Sequence, residues 1–226
     1  MPNSVARVEF RVGLIGYGLA GAVFHAPLIS ATPGLSLTAI VTANEARRAQ
    51  AARDHPQARL LPDADSLWRS ASELDLVVVA SPNRTHAPLA LAAVGAGLAV
   101  VVDKPLAATT GDARRLIDAA RDRGTLLTVF QNRRWDGDFL TLRRLLAEGS
   151  LGAVMRFESR FERWRPTVKA GWRMLGAPED AGGLLFDLGS HLIDQALVLF
   201  GPVTHVYAEL DRAAAAWRWM TMPSWR

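Results

Sequence analysis

A glycine pattern directly after a short apolar run constrains this chain more than any other feature. The run Phe10–Ile15 predicts a buried strand, and Gly16, Gly18 and Gly21 then spell G-x-G-x-x-G at the start of a helix-like segment. At this spacing the first glycine permits a tight turn, the second lets backbone approach a pyrophosphate, and the third lets the helix pack on the strand. A glycine-rich turn without a ligand is the alternative. The strand before the turn and the helix after it favour a dinucleotide site with phosphates at the helix N-terminus.

Buried strands alternate with helices over the first part of the chain, which is typical of a parallel sheet covered on both faces. We therefore predict a doubly wound α/β sheet of the Rossmann type and a dinucleotide-binding domain over residues 1–131. The predicted strands are 10–15, 36–42, 58–61, 75–80, 99–102 and 126–130, and the predicted helices are 20–29, 45–54, 63–70, 85–96 and 109–123.

Residues 132–226 have a different sequence pattern. They predict a second, incomplete α+β domain with an open, mostly antiparallel sheet. Helices are expected over 136–148 and 184–200, and strands over 153–162 and 203–210. Two strands are marginal as a sheet, because a sheet needs neighbours to cover its edges. We expect the chain to be truncated at its C-terminus.

The last stretch, 213–226, fits neither a strand nor a helix of the expected kind. We expect it to be loosely packed, with Trp217, Trp219 and Trp225 more exposed than tryptophan usually is. A chain with such an end should bind a cofactor weakly, show little turnover and tend to aggregate.

Composition favours a cytoplasmic soluble protein. The 226 residues contain no cysteine, no apolar run of about 18 residues and no signal-peptide core near Met1, so neither disulfides nor a membrane span is expected. The net charge of +4 comes from arginines scattered along the chain. Nucleic-acid binding would require them on one face, so nucleic acid is not an expected partner.

One lysine stands where an α/β sheet binds its ligands. Asp103-Lys104-Pro105 follows the fifth predicted strand, and ligands bind beyond the carboxyl ends of such strands. A Lys-Pro pair after a strand is commonly a simple turn. However, Lys104 is one of only two lysines in an arginine-rich chain, and lysine can exchange a proton where arginine cannot.

A second polar cluster lies on the predicted helix 184–200, after the pair Gly182-Gly183. Asp187 and His191 are four residues apart, so they share one face of a helix, and Asp194 lies near that face. A histidine on an apolar helix is often a hydrogen-bonded core residue. The two glycines would let a helix end approach a ligand, which favours a functional histidine.

These motifs in this order resemble the Gfo/Idh/MocA family of oxidoreductases over about residues 10–210. The family pattern joins G-x-G-x-x-G, then D-K-P or E-K-P, then G-G-x-x-x-D-x-G-x-H-x-x-D. The stretch Ser81–His86 (SPNRTH) also resembles the family's T-P-N-x-x-H loop. Gly16-Tyr17-Gly18, Phe24–Pro27 (FHAP) and Gln131–Asp136 (QNRRWD) resemble the branch that includes scyllo-inositol dehydrogenases.

The resemblance implies a nicotinamide-dependent dehydrogenase acting on a sugar or polyol, without a metal, and homo-oligomeric in its full-length relatives. Family members continue for roughly another hundred residues, as a complete second domain needs. The implied catalytic residues are Lys104, Asp187 and His191. The implied cofactor-binding residues are Gly16, Tyr17, Gly18, Gly21, Thr42, Ser81, Asn83, His86 and Lys104, and the implied substrate-binding residues are Asn132, Arg133 and Trp164.

The end of the second strand favours NADP over NAD as the cofactor. NAD-specific sites place an acidic residue there to bind the ribose 2′-hydroxyl. Here the strand ends in Thr42, Ala43 and Asn44, with Arg47-Arg48 one turn further on. A 2′-phosphate would meet no repulsion, although both arginines could equally lie on a solvated helix face.

Two other functions remain open from the sequence. A cofactor-sensing regulator would bind the dinucleotide without catalysis, and an inactive fragment would keep only the nucleotide-binding half. The presence of Lys104, Asp187 and His191 favours an enzyme, because a regulator could lose them freely.

Overall fold

The computed structural model describes residues 9–162, 171, 177–212 and 221–224, with no side chains described beyond residue 209. The chain divides into two compact units, Met1–Phe130 and Gln131–Arg226.

The first unit is built on one sheet of six parallel strands. They are β1 Phe10–Ile15, β2 Leu35–Val41, β3 Arg59–Leu61, β4 Leu76–Val79, β5 Ala99–Asp103 and β6 Leu127–Phe130. Their order in the sheet is β3-β2-β1-β4-β5-β6. This order is that of a doubly wound sheet with a reversal between β1 and β4, so the predicted Rossmann sheet is confirmed.

Helices connect these strands, and three of them begin at a side-chain cap. The caps are Asn44, Asp63 and Thr109, each accepting a hydrogen bond from the backbone N–H three residues later. The first connection begins as a π-helical segment, Ala20–His25, before it becomes α1. The α-helices are α1 Ala26–Ala31, α2 Glu45–Asp54, α3 Ala64–Trp68, α4 His86–Gly95 and α5 Thr110–Asp122.

Hydrophobic side chains are buried on both faces of the sheet. Val77 and Val79 contribute to one cluster, while Val12, Leu14 and Val78 contribute to the other. Neighbouring residues on a strand point to opposite faces, so these continuous apolar strands require helices on both sides. The sheet thereby holds the carboxyl ends of β1, β2, β4 and β5 at one rigid edge.

An ion pair at the opposite edge joins the starts of β1 and β4. Arg11 Nε and Nη2 donate to the two carboxylate oxygens of Asp75 at 3.0 and 2.9 Å, and the Arg11 backbone N–H donates to Oδ2 at 2.8 Å. These hydrogen bonds lower the pKa of Asp75 to about 2. The pair therefore stabilises the fold only while the carboxylate is ionised.

This pair gives the fold a specific acid dependence. Since the pKa of Asp75 is lower in the folded than in the unfolded chain, its stabilisation is complete above about pH 4 and is lost as pH falls toward about 2. We expect Asp75→Asn to lower the Tm at neutral pH and to flatten the fall of Tm across that interval. Thermal unfolding monitored by circular dichroism measures both effects. Asp118→Asn, which removes an exposed pair with Arg121 on α5, should leave the slope unchanged; equal slopes for wild type and Asp75→Asn would contradict the assignment.

In its described part, the second unit contains two longer helices and a short antiparallel strand pair. The helices are α6 Gly137–Ala147 and α7 Ser190–Phe200, and α7 is preceded by a π-helical segment, Leu185–Gly189. Strand β7 Glu209–Arg212 pairs with β8 Thr221–Ser224. The predicted helices are therefore confirmed, with a change of helix type before α7.

The strand predictions for this unit need correction. Residues 153–162 belong to no strand, and of 203–210 only the last two residues join β7. Conversely, Thr221–Ser224 forms a strand inside the stretch expected to have none. The prediction for 153–162 was wrong because imperfect alternation alone does not form a ladder; a strand also needs a neighbour for its backbone hydrogen bonds. The predicted exposure of Trp217, Trp219 and Trp225 lies outside the described residues.

Large apolar side chains remain exposed in the second unit. Met155, Trp135 and Val206 are each at least 73% exposed, and Phe200 at the end of α7 is 46% exposed. The helical stretch Pro178–Phe200 is long and apolar enough to cross a membrane by length and composition alone. That is weak evidence, since core helices of soluble proteins pass the same test, and this stretch carries Asp187, His191 and Asp194.

Candidate functional site

The turn after β1 has no room for side chains at two of its glycines. Gly16 has a φ of +101°, and a Cβ there would lie 2.4 Å from the Ala80 carbonyl oxygen at the end of β4. A Cβ on Gly21 would lie 2.0 Å from the Gly16 carbonyl oxygen. Both glycines are therefore required by the backbone itself, which brings the start of the helical segment close against β1.

The middle glycine of the pattern, Gly18, leaves space beside its backbone. A Cβ on Gly18 would meet only the tip of the Arg47 side chain, at 3.6 Å. The helical segment begins two residues later, so its first N–H groups and its dipole favour an anion at this point. The open backbone at Gly18 and the helix N-terminus together fit the phosphates of a dinucleotide.

Tyr17 contributes backbone rather than side chain to this turn. Its ring is buried, and its hydroxyl donates to Asp54 Oδ2 at 2.9 Å. Burial, together with the hydrogen bond to Asp54, raises the pKa of the Tyr17 phenol to about 12. The phenol thus anchors the turn to the end of α2.

The end of β2 has no acidic residue at the tip of the strand. Thr42 is buried, and its backbone N–H donates to the Leu61 carbonyl at 3.0 Å. Asn44 caps α2 by accepting from the Arg47 backbone N–H at 3.0 Å. This cap places Arg47 in the first turn of α2, from which its guanidinium reaches Gly18.

The loop after β4 presents hydroxyl and amide groups. The Ser81 and Thr85 hydroxyl oxygens lie 2.6 Å apart, and Thr85 Oγ1 also donates to the Pro82 carbonyl at 2.6 Å. Asn83 is buried in the same loop. The loop is therefore folded on itself at the carboxyl edge of the sheet.

The loop after β5 holds Lys104, which is half-buried. Its backbone N–H donates to Asp103 Oδ1 at 2.9 Å, and the Lys104–Pro105 peptide bond is cis. His86 at the start of α4 contacts this loop through Nδ1, 2.7 Å from the Pro105 carbonyl oxygen. The structure therefore brings Lys104 and the loop after β4 to the edge that carries the glycine turn, as the sequence predicted for the carboxyl ends of the strands.

His25 is a buried histidine that the sequence reasoning did not select as a site residue. It ends the π-helical segment, and its ring packs on Phe130 with 4.3 Å between centroids. Among the described residues its Nε2 has no hydrogen-bond partner. Burial lowers the pKa of His25, against an opposing attraction to Asp103. A neutral imidazole is thus favoured here. The only sequence signal was the FHAP stretch, which gave no role for the ring.

In the second unit His191 is buried and Asp187 is half-buried. His191 lies in the first turn of α7, whereas Asp187 lies in the preceding π-helical segment. A π-helix has more residues per turn than an α-helix, so residues four apart are not aligned on one face as they are in a regular α-helix. The shared face predicted for Asp187 and His191 assumed a regular α-helix.

Asn132 and Arg133 lie on a short 3₁₀ turn, Asn132–Trp135. The Arg133 guanidinium donates to Asp136 Oδ2 at 2.8 Å and lies 4.9 Å from the centre of the Phe161 ring. The third predicted substrate-binding residue, Trp164, lies outside the described residues.

A two-point connection joins this 3₁₀ turn to α7. Arg134 donates through Nε and Nη2 to the carboxylate of Asp194 at 2.8 and 2.5 Å, and Gln195 Nε2 donates to the Arg133 carbonyl at 3.0 Å. The hydrogen bonds to Asp194 raise the pKa of Arg134. Sequence reasoning placed Asp194 near the face of His191 but missed Arg134 as its partner, since 60 residues separate them.

Comparison with known proteins agrees with this geometry. Residues 10–131 match the family model described as "Oxidoreductase family, NAD-binding Rossmann fold", and residues 139–219 match the "GFO/IDH/MocA C-terminal domain". The chain is 49% identical over 193 residues to the uncharacterized oxidoreductase YdgJ of Escherichia coli, covering 85% of this chain and 54% of that protein. It is 40% identical over 191 residues to the scyllo-inositol 2-dehydrogenase (NADP(+)) IolW of Bacillus subtilis, covering 84% of this chain and 52% of that protein.

Solved structures show the same similarity. YPO2259 of Yersinia pestis superposes with a TM-score of 0.84 at 45% identity, over 94% of this chain and 58% of that one. The yvaA protein of Bacillus subtilis superposes with a TM-score of 0.85 at 36% identity, over 94% and 59% of the two chains. The chain thus spans about half the length of the curated relatives that it matches. On the match of its nucleotide-binding sheet, its motifs and these relatives, the chain belongs to the Gfo/Idh/MocA family of NAD(P)-binding oxidoreductases.

Proposed function

We propose that the complete protein transfers a hydride between a nicotinamide cofactor, preferably NADP, and a hydroxyl or carbonyl group of a sugar or polyol of the inositol type. The observation that carries the proposal is the placement of Lys104 at the same sheet edge as the open Gly18 turn. The relative named as an NADP-dependent scyllo-inositol dehydrogenase supports the substrate class. The domain division that accompanies the proposal is 1–131 for the cofactor and 132–226 for an incomplete substrate domain.

The cofactor supplies the hydride acceptor or donor. The residues of this chain bind the cofactor and the substrate, orient them and exchange the proton. Backbone at Gly16, Tyr17, Gly18 and Gly21 holds the pyrophosphate, while Ser81 and Asn83 bind the nicotinamide half. Lys104 and His191 exchange the proton of the substrate hydroxyl, because ammonium and imidazole groups can both donate and accept it. Asp187 orients the substrate or His191, and Asn132, Arg133 and Trp164 bind the other hydroxyl groups.

Arg47 gives the NADP preference a structural basis. Its guanidinium lies beside Gly18, and no acidic residue at 41–44 would repel a 2′-phosphate. Arg48, the next residue, instead directs Nη2 toward the Leu60 carbonyl at 3.4 Å. The two neighbouring arginines therefore have different surroundings, and only Arg47 is placed next to the phosphate turn.

We expect Arg47→Ala to weaken NADP binding by about 10-fold or more, since a hydrogen bond to a charged group contributes about 1.5–3 kcal/mol. NAD affinity should change little, because NAD lacks the 2′-phosphate. Calorimetric titration of both cofactors into the 226-residue chain measures the ratio. Arg48→Ala is the matched control and should leave the ratio unchanged; equal losses of NADP affinity in the two variants, or wild-type preference for NAD, would contradict the proposal.

The substrate class is tested by a polyol panel. The chain covers about half of its relatives, so the assay uses a hybrid in which residues 1–212 are continued by the C-terminal part of YdgJ. Absorbance of the reduced nicotinamide ring is followed with inositols, glucose, xylose and their keto or lactone forms. We expect turnover with an inositol. Tight cofactor binding without turnover on any member would favour the regulator.

We further propose that the whole protein lies in the cytoplasm as a homo-oligomer that acts on a small molecule, without binding nucleic acid or a membrane. Family membership supports this assignment, and size-exclusion chromatography of the hybrid tests the oligomer.

A further inference from the structure

His86 has an unusual set of hydrogen-bond partners for a buried histidine. The residue is 1% exposed and is the first residue of α4. Its Nδ1 lies 2.7 Å from the Pro105 carbonyl oxygen, and its Nε2 lies 2.9 Å from the Ser81 carbonyl oxygen. The ring therefore joins the loop after β5 to the loop after β4.

Both partners are carbonyl oxygens, which accept hydrogen bonds and cannot donate them. A neutral imidazole carries a hydrogen on only one nitrogen, so its second nitrogen would turn a lone pair toward a carbonyl oxygen at less than 3 Å. With hydrogens on both nitrogens the ring makes two short charge-assisted bonds.

We propose that His86 is a positioning residue: as an imidazolium donating to both carbonyls, it fixes the loop that carries Lys104. The inference rests on the proposed function in that Lys104 is taken as the residue that acts on the substrate. The sequence resemblance placed His86 among the cofactor-binding residues. With both ring nitrogens directed at protein carbonyls, the ring instead acts through Pro105, the residue next to Lys104.

The protonation of His86 is tested in the wild-type chain. Histidine labelled with ¹⁵N gives ring signals for only five residues, His25, His55, His86, His191 and His205. We expect both His86 nitrogens to carry a directly bonded hydrogen at neutral pH. A single protonated nitrogen would contradict the proposed imidazolium that donates to both carbonyl groups. This result does not depend on any variant folding.

The positioning role is tested at Lys104 itself. The chain has only two lysines, so lysine labelled with ¹³C at Cε gives two signals, which Lys104→Arg assigns. We expect His86→Asn to shift or broaden the Lys104 signal while the Lys169 signal stays in place. The control His55→Asn, which removes a ring in contact with Ser30, should move neither. An unchanged Lys104 signal in a folded His86→Asn chain would show that His86 supports only stability.

Cofactor titration separates this inference from the proposed function. We expect His86→Asn to retain saturable NADPH binding with an affinity reduced by no more than about 10-fold, because the ring contacts the loop after β4 only through the Ser81 carbonyl. A shift of the Lys104 signal without NADPH binding to either protein would support the positioning role of His86 and contradict the proposed function. Loss of NADPH binding in His86→Asn alone, without a Lys104 shift, would show that His86 binds the cofactor and would overturn the positioning role.

Discussion

Gly21→Ala is expected to abolish measurable NADPH binding and to destabilise the first unit strongly. The added methyl group would lie 2.0 Å from the Gly16 carbonyl oxygen, which is backbone and cannot rotate away. Relief requires the helical segment to move off β1, and that movement displaces the N–H groups that face the phosphates. We expect a loss of about 3 kcal/mol or more and a Tm drop on the order of 10 °C.

The control for this prediction is another glycine in the same unit. A Cβ on Gly95, the last residue of α4, would meet no atom within 4 Å. Since alanine is favoured over glycine in a helix by about 0.5–1 kcal/mol, Gly95→Ala should keep NADPH affinity and should not lower the Tm. Differential scanning fluorimetry with and without NADPH measures both properties. Wild-type NADPH affinity in Gly21→Ala would show that the turn does not hold the cofactor.

Substitution of the proposed proton-exchanging residues is the second change with a large expected effect. In the hybrid protein we expect Lys104→Ala and His191→Ala each to cut kcat by about 10²-fold or more, because general acid–base groups contribute about 10²–10⁴-fold. Lys104 is half-buried at the sheet edge, and His191 is buried in α7. NADPH affinity should change little, since both act on the substrate hydroxyl.

Matched substitutions of the same residue types identify a specific effect. Lys169→Ala removes the other lysine, and His205→Ala removes an exposed histidine of the second unit. Both controls should retain wild-type kcat. Wild-type turnover in Lys104→Ala or His191→Ala would remove that residue from the mechanism, and equal losses in the controls would point to damage to the fold.

The first unit could be predicted from the sequence almost residue by residue, because each of its elements carries a local signal. DLVVVA over 75–80 is continuously apolar, and the observed strand is Leu76–Val79. Asn44, Asp63 and Thr109 cap their helices as short polar residues do. Parallel strands covered on both faces leave few alternatives for such a pattern.

The second unit was less predictable because its structure depends on distant partners. Residues 153–162 alternate like a strand yet join no ladder, and β7 and β8 pair across a gap in a region with little periodicity. The Arg134–Asp194 pair and the two carbonyl partners of His86 are likewise tertiary contacts. No spacing in the sequence encodes them, because they depend on how loops approach one another.

We propose that this chain binds a nicotinamide dinucleotide at the Gly18 turn and prefers the 2′-phosphorylated form. Calorimetric titration of the 226-residue chain with NADPH and, side by side, with NADH measures both properties. We expect saturable binding of one NADPH per chain and weaker binding of NADH. Absence of binding by either cofactor, or tighter binding of NADH, would contradict it.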